Sequence, residues 1–167
     1  MLIIFSGLPG TGKTTIAREL ARALGAVHIR IDSIEQAIRE STSGGEEVVD
    51  AGYRVGYSVA GDNLRVGRTV VADSVNPLHV TREAWREVAR RASVRAVDVE
   101  VICSDEDAHR RRVETRTTDV PRLRLPTWAE VAARAYEPWT TERIVVDTAT
   151  VPPAESVAAL MAAIIGR

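Results

Sequence analysis

The sequence predicts an α/β fold in which a parallel sheet carries helices on both faces. Three observations carry that prediction. Short apolar stretches alternate with helical stretches along the whole chain. The first apolar stretch runs into Gly7-Leu8-Pro9-Gly10-Thr11-Gly12-Lys13-Thr14 and then into a helix. Two further stretches end at or beside an acid, Asp32 and Asp73. Ligands of open parallel sheets bind at the strands' carboxyl ends, where Gly7, Asp32 and Asp73 are expected to gather.

The elements follow in order. Leu2-Ile3-Ile4-Phe5 is an apolar strand, and Thr15 to Leu24 reads as a helix whose start reaches Lys13. Val27-His28-Ile29-Arg30-Ile31 alternates like a second strand, after which Asp32 or Ser33 is placed to cap a helix from Ile34 to Glu40. Residues Ser41 to Gly45 form a polar loop. From Glu46 to Val66 apolar residues at Val48, Val49, Ala51, Val55, Val59, Ala60 and Leu64 predict one long helix. Gly52, Gly56 and Gly61 each cost that helix ~1 kcal/mol against alanine, and close packing is the expected reason for them. Thr69 to Asp73 is a third strand, and Thr81 to Ala92 a helix with Trp85, Val88 and Ala89 as its buried stripe. Arg95 to Cys103 is the fourth strand, with Cys103 a small core residue. Asp105 to Arg116 is helical, Thr117 to Pro126 irregular, and Thr127 to Tyr136 helical again. Ile144-Val145-Val146 is a last strand, and Pro153 to Ile165 closes the chain as an amphipathic helix. Tyr136-Glu137-Pro138-Trp139 reads as a packed corner that anchors the approach to that strand.

At 167 residues the chain suits one domain with no linker. Hydrophobic residues at 45% and charged residues at 27% are ordinary for a globular protein, and the formal net charge of −1 gives no global attraction to nucleic acid or membrane. One cysteine forms no internal disulfide. His28, His79 and His109 have no metal-ligand spacing among themselves or with Cys103, so no structural metal is expected. The first residues lack a charged leader, and no apolar run approaches the ~20 residues of a membrane span, so a cytoplasmic location is expected.

Lys13 is the only lysine among the 22 basic residues. Composition drift toward arginine explains the rest, but a compact ammonium that slides between a loop and two phosphates is not replaceable by a planar guanidinium. The loop fits the pattern Gly, four residues, Gly-Lys-Ser/Thr, and it stands between a strand and a helix as that pattern requires. Its glycines let backbone N–H groups converge on phosphate oxygens, and the helix start adds its positive dipole end. Gly7, Pro9, Gly10, Thr11, Gly12, Lys13, Thr14 and Thr15 are therefore the expected contacts for ATP, with Thr14 offering a hydroxyl to Mg2+.

With this loop, the acid after strand two and an arginine-rich helix after strand four, the chain resembles the small P-loop kinases, and among them the group that holds chloramphenicol phosphotransferase and polynucleotide 5′-kinase. The resemblance implies a three-layer α/β/α fold with five parallel strands ordered 2-3-1-4-5. It also implies a mobile arginine-bearing lid, here about residues 104–126, that closes over the nucleoside triphosphate.

Phosphoryl transfer needs positioning and charge neutralisation above all. Lys13 serves the β and γ phosphates. An alcohol acceptor also benefits from a carboxylate that takes its proton, and the resemblance puts that general base at Asp32, a residue that also suits a helix cap. Asp73 ends its strand like an acid that binds magnesium or holds the Thr14 hydroxyl, and equally like a turn residue of Asp73-Ser74-Val75-Asn76-Pro77. Asn76 in that turn is a candidate acceptor contact. The resemblance assigns Arg112 and Arg116, which share a helical face, to the triphosphate, with Arg122 and Arg124 as acceptor contacts. Arg110 and Arg111 read as a solvated basic face. Arg30 has the strand parity of Asp32 and is placed to steer an anionic acceptor or to form a structural ion pair. Tyr53, Arg54, Tyr57 and Asn63 lie on the long helix that would wall the acceptor pocket, and tyrosines at that spacing also suit a core.

The expected activity is an ATP- and Mg2+-dependent kinase acting on a hydroxyl of a small molecule such as a nucleoside, sugar or antibiotic. A 5′-hydroxyl polynucleotide kinase would need a basic channel leading to Asp32, which a chain of net charge −1 supplies only through local arginines. A nucleotide-gated binding module with slow ATP hydrolysis is the third reading, and it needs no acceptor base.

Overall fold

A computed structural model describes residues 1–41 and 50–166. Five strands form one all-parallel sheet: β1 (Leu2–Ser6), β2 (Val27–Arg30), β3 (Val70–Asp73), β4 (Ala96–Ile102) and β5 (Ile144–Asp147). Their order is β2-β3-β1-β4-β5, as the resemblance implied. Seven helices alternate with them among the described residues: α1 (Lys13–Leu24), α2 (Ile31–Ser41), α3 (Ala51–Arg65), α4 (His79–Arg91), α5 (Glu106–Thr115), α6 (Trp128–Ala132) and α7 (Pro153–Ile165). None of them is long and apolar enough to cross a membrane.

Burial on both faces explains why the central strands are apolar without alternation. Ile3 and Phe5 of β1 join Val71, Val97, Val99 and Val101 under Ile16, Leu20, Leu160 and Ile164 of α1 and α7. Leu2 and Ile4 point the other way, toward Ala60, Leu64, Trp85 and Ala89 of α3 and α4. The register then sets the site. Phe5 stands opposite Asp73, and Asp73 opposite Arg30, so the carboxyl ends of β1, β3 and β2 lie in one row.

Several expected boundaries move. The second strand stops at Arg30, and Ile31 and Asp32 already belong to α2, which places the Asp32 carboxylate in the first helical turn where the dipole favours it. The expected cap role of Asp32 or Ser33 is therefore not taken. The long helix expected from Glu46 is seen from Ala51; residues 42–49 lie outside the described residues. The helix expected over Thr127 to Tyr136 spans only Trp128–Ala132, set by a capping box between Thr127 and Glu130. Cys103 is half-buried rather than a core residue, since β4 ends before it.

Gly56 has the expected packing reason, though against helices rather than the sheet. A Cβ there would lie 2.5 Å from Ile31 Cδ1 and 3.3 Å from Trp85 Cη2, so glycine lets α3 seat on both α2 and α4. The corner at Tyr136 to Trp139 is fastened by Arg82, a buried side chain that sequence patterning did not single out. Its guanidinium donates to the carbonyls of Asn76 (2.9 Å), Pro77 (3.1 Å), Glu137 (2.9 Å) and Pro138 (3.5 Å) and lies 4.2 Å from the centroid of Trp139.

Candidate active site

The loop from Gly7 to Gly12 wraps the end of β1 through left-handed backbone that L side chains resist. Gly7, Gly10 and Gly12 have φ of 145°, 88° and 87°. A Cβ at Gly7 would stand 2.3 Å from the Val101 carbonyl, and one at Gly10 would stand 2.4 Å from Val113 Cγ2. Two side chains from distant elements brace the loop. His109 of α5 bonds the Pro9 carbonyl at 2.8 Å, and the Thr148 hydroxyl, just past β5, donates to the Thr11 carbonyl at 2.7 Å.

Lys13 opens α1 and is nearly buried at 7% exposure. Its amine donates to Asp73 Oδ1 at 2.8 Å, while His28 Nε2 lies 3.3 Å from the other oxygen of the same carboxylate. Burial pushes the Asp73 carboxyl up, but the Lys13 charge and the hydrogen bonds from His28 and Lys13 outweigh it and hold the group below the usual carboxylate range. Both oxygens of Asp73 are thereby committed. The Thr14 hydroxyl makes no side-chain hydrogen bond among the described residues, and the residue lines the cleft.

That cleft, of about 1100 Å³, runs from the loop across the ends of β2 and β3. The loop residues Pro9, Gly10, Gly12, Lys13, Thr14 and Thr15 line it together with Arg30, Asp32, Tyr53, Arg112, Arg116 and Arg124. Asp32 accepts no hydrogen bond from any described residue, although it lies within electrostatic reach of Arg116 and Glu35.

Other expected residues are placed differently. Asn76 does not line the cleft: it is fully buried, sits at φ 45°, and donates from Nδ2 to the Phe5 carbonyl at 2.9 Å, which makes it a clamp on the end of β1. Tyr53 lines the cleft but its hydroxyl accepts from the Asn76 N–H at 3.2 Å, and burial pushes its phenol up to about 12. Arg112 is not free for phosphates in this arrangement. It donates to Thr148 Oγ1 and to the Thr148 carbonyl, both at 2.8 Å, and so supports the residue that braces the loop. Arg124 pairs with Glu130 at 2.6 Å, and Arg122 lies at the surface 4.0 Å from Glu40. Arg116 is half-buried, and its Nε–H has no hydrogen-bond partner among the described residues.

Sequence reading missed Glu35, Arg18 and Asp119, all of which line the cleft. Glu35 was legible as the residue one turn after Asp32; burial raises its carboxyl despite Arg39. Arg18 was legible as the cleft-side residue one turn after Thr14. Asp119 had no signal, because it comes from an irregular stretch about ninety positions away from the Arg30 it pairs with, at 2.6 Å.

No curated protein sequence matches the chain significantly. Among solved structures, that of the Mycobacterium tuberculosis APS kinase CysC in complex with AMPPNP and APS is 17% identical, with a TM-score of 0.72 over 98% of this chain and 96% of that one. The Chaetomium thermophilum Kti12 in complex with ADP-AlF3 is 22% identical, with a TM-score of 0.70 over 98% and 99%. A gluconokinase from Sinorhizobium meliloti 1021 is 22% identical, with a TM-score of 0.67 over 98% and 91%. At these identities the likeness establishes a shared fold. The model of the AAA_33 family, described as an AAA domain, matches residues 2–138. With that match over most of its length, the chain belongs to this AAA domain family.

Proposed function

We propose that the protein is an ATP- and Mg2+-dependent kinase that transfers the γ-phosphate to a hydroxyl of a small molecule. The observation that carries this reading is the pairing, across one cleft, of the Lys13 loop with Asp32, a carboxylate no described residue hydrogen-bonds. A nucleotide switch has no use for such a base in its nucleotide cleft. The similar structures support it as well: two of the three bear kinase names, one in complex with AMPPNP and APS, and the third is in complex with ADP-AlF3.

In this reading the loop N–H groups and Lys13 hold the β and γ phosphates, and Lys13 exchanges Asp73 for phosphate oxygens when nucleotide enters. Thr14 and Asp73 would hold Mg2+, the hydroxyl and the carboxylate released by Lys13 both being hard oxygen donors, with His28 on the other Asp73 oxygen. Bound magnesium supplies charge neutralisation on the phosphates. Asp32 accepts the acceptor's hydroxyl proton as that oxygen bonds to the γ-phosphorus and ADP leaves. Residues 104–126 act as the lid, and Arg116 within it lies in electrostatic reach of Asp32. Arg112 positions the loop through Thr148.

The test is ADP release from ATP and Mg2+ against nucleosides, sugars, antibiotics and 5′-hydroxyl oligonucleotides, with Asp32→Asn as control. Acceptor-dependent release that Asp32→Asn abolishes is the expected result. Slow, acceptor-independent release unchanged by the substitution would overturn the reading in favour of a nucleotide-gated module.

A further inference from the structure

We propose that Arg18, Arg30 and Arg116 form an anion-binding subsite for the acceptor, held in this structure by the carboxylate of Asp119, so that the acceptor is a small hydroxylated molecule carrying a phosphate or carboxylate. The proposal rests on the kinase reading and deepens it.

Charge is the first argument. Lys13 and eight arginines line the cleft against Asp32, Glu35, Asp50 and Asp119, although the chain as a whole has a net charge of −1. Asp73 and Glu130 offset Lys13 and Arg124, and a magnesium-bearing triphosphate offsets part of what remains, so a local positive excess is left whose field the concavity focuses on what enters it.

Unsatisfied donors are the second. The Nε–H groups of Arg18, Arg30 and Arg116 are all buried and all without an acceptor among the described residues. Buried donors of this kind cost free energy until they are paired, and all three belong to residues that line the cleft. The three lie together. Asp119 bridges Arg30 at 2.6 Å and Arg18 at 3.4 Å with its two oxygens. Burial lowers the Arg116 guanidinium, Asp32 opposes that, and the Arg30 charge lowers it further, so Arg116, which lines the same cleft, lies within electrostatic reach of both.

Asp119 is the third. Its carboxylate is 60% exposed and comes from the irregular stretch after α5, so it is an exchangeable occupant rather than a buried strut. A phosphate or carboxylate on the acceptor offers the same oxygens to the Nη1 groups of Arg18 and Arg30 that Asp119 now fills. Anchoring the acceptor there sets its hydroxyl toward Asp32, two residues beyond Arg30.

Calorimetric titration of glycerol 3-phosphate, glycerate and glycerol into protein saturated with Mg2+ and AMPPNP tests this, because the analogue keeps phosphate probes out of the Lys13 loop. The two anions are expected to bind and glycerol not. Arg30→Gln should weaken the anions by ~10-fold, and Asp119→Asn should tighten them by about as much, as expected for one charged hydrogen-bond pair. Opposite signs from two residues that are partners in one ion pair separate a ligand site from a merely structural pair, whose loss would act in one direction. Equal binding of glycerol, no binding of either anion, or anion affinities unchanged in both variants would overturn the proposal. So would a 5′-hydroxyl oligonucleotide that binds in their place through the same arginines. If AMPPNP itself fails to bind, the kinase reading falls, and the same titrations on Lys13→Ala still read the subsite.

Discussion

The Lys13 amine and the Asp73 carboxylate meet at 2.8 Å beneath the phosphate loop, with 7% and 1% of each residue exposed. A charge this deeply buried is tolerated only with its partner, and removing one partner strands the other. Asp73→Ala should therefore cost about 3–5 kcal/mol in urea unfolding at pH 7. Asp73 also makes stability pH-dependent. Its folded pKa is depressed, so its contribution is complete above the unfolded value of about 4 and is lost as pH falls from there toward the folded value. Stability measured from pH 6 down to pH 3 should fall more steeply in the natural protein than in Asp73→Asn; parallel curves would contradict this assignment.

Thr148 joins three elements through one hydroxyl, which accepts from Arg112 and donates to the Thr11 carbonyl. Thr148→Val keeps the shape and deletes both bonds. Nucleotide affinity should drop roughly tenfold, the effect of about 1–1.5 kcal/mol of lost hydrogen bonding, while the loop sequence stays intact. Equilibrium binding of a fluorescent ATP analogue reads this directly, and an unchanged Kd would show that the brace does not shape the loop.

Asp32 lines the cleft and its carboxylate has no hydrogen bond among the described residues, so its replacement breaks none of those and changes only longer-range charge on Arg116 and Glu35. Asp32→Asn should lower kcat by about 10²–10⁴-fold, the range of a general base, with stability within ±0.5 kcal/mol and ATP affinity retained. A loss of stability without loss of turnover would make it a structural residue of α2.

Arg82 offers one guanidinium to four carbonyls and stacks on Trp139. Lysine cannot reproduce that planar fork. Arg82→Lys should cost about 2–4 kcal/mol through carbonyls left buried and unpaired. Thermal unfolding measures it, and a near-neutral change would mean that water replaces the guanidinium.

The strand and helix order was legible because periodicity and turn residues are local. So was the loop, since Gly7, Gly10 and Gly12 are required by the backbone they adopt, with φ between 87° and 145°. Legibility failed where long-range contacts decide. Asp32 looked like a cap until β2 ended one residue early, and Asn76 looked like an acceptor contact until its carboxamide was found on the Phe5 carbonyl. Sequence spacing puts Arg112 and Arg116 on one helical face, yet α5 ends at Thr115, so Arg116 leaves the helix in extended backbone while Thr148 holds Arg112.

The sequence by itself determined the parallel α/β class and the placement of a phosphate loop between β1 and α1, because apolar period, glycine spacing and a single lysine are properties of neighbouring residues. Only the tertiary structure decided which charges meet. Lys13 with Asp73, Arg30 with Asp119 and Arg112 with Thr148 are joined across 60, 89 and 36 positions. Such pairs are chosen by strand register and helix packing, which bring distant side chains into one desolvated space where an ion pair or a hydrogen bond outweighs local preference.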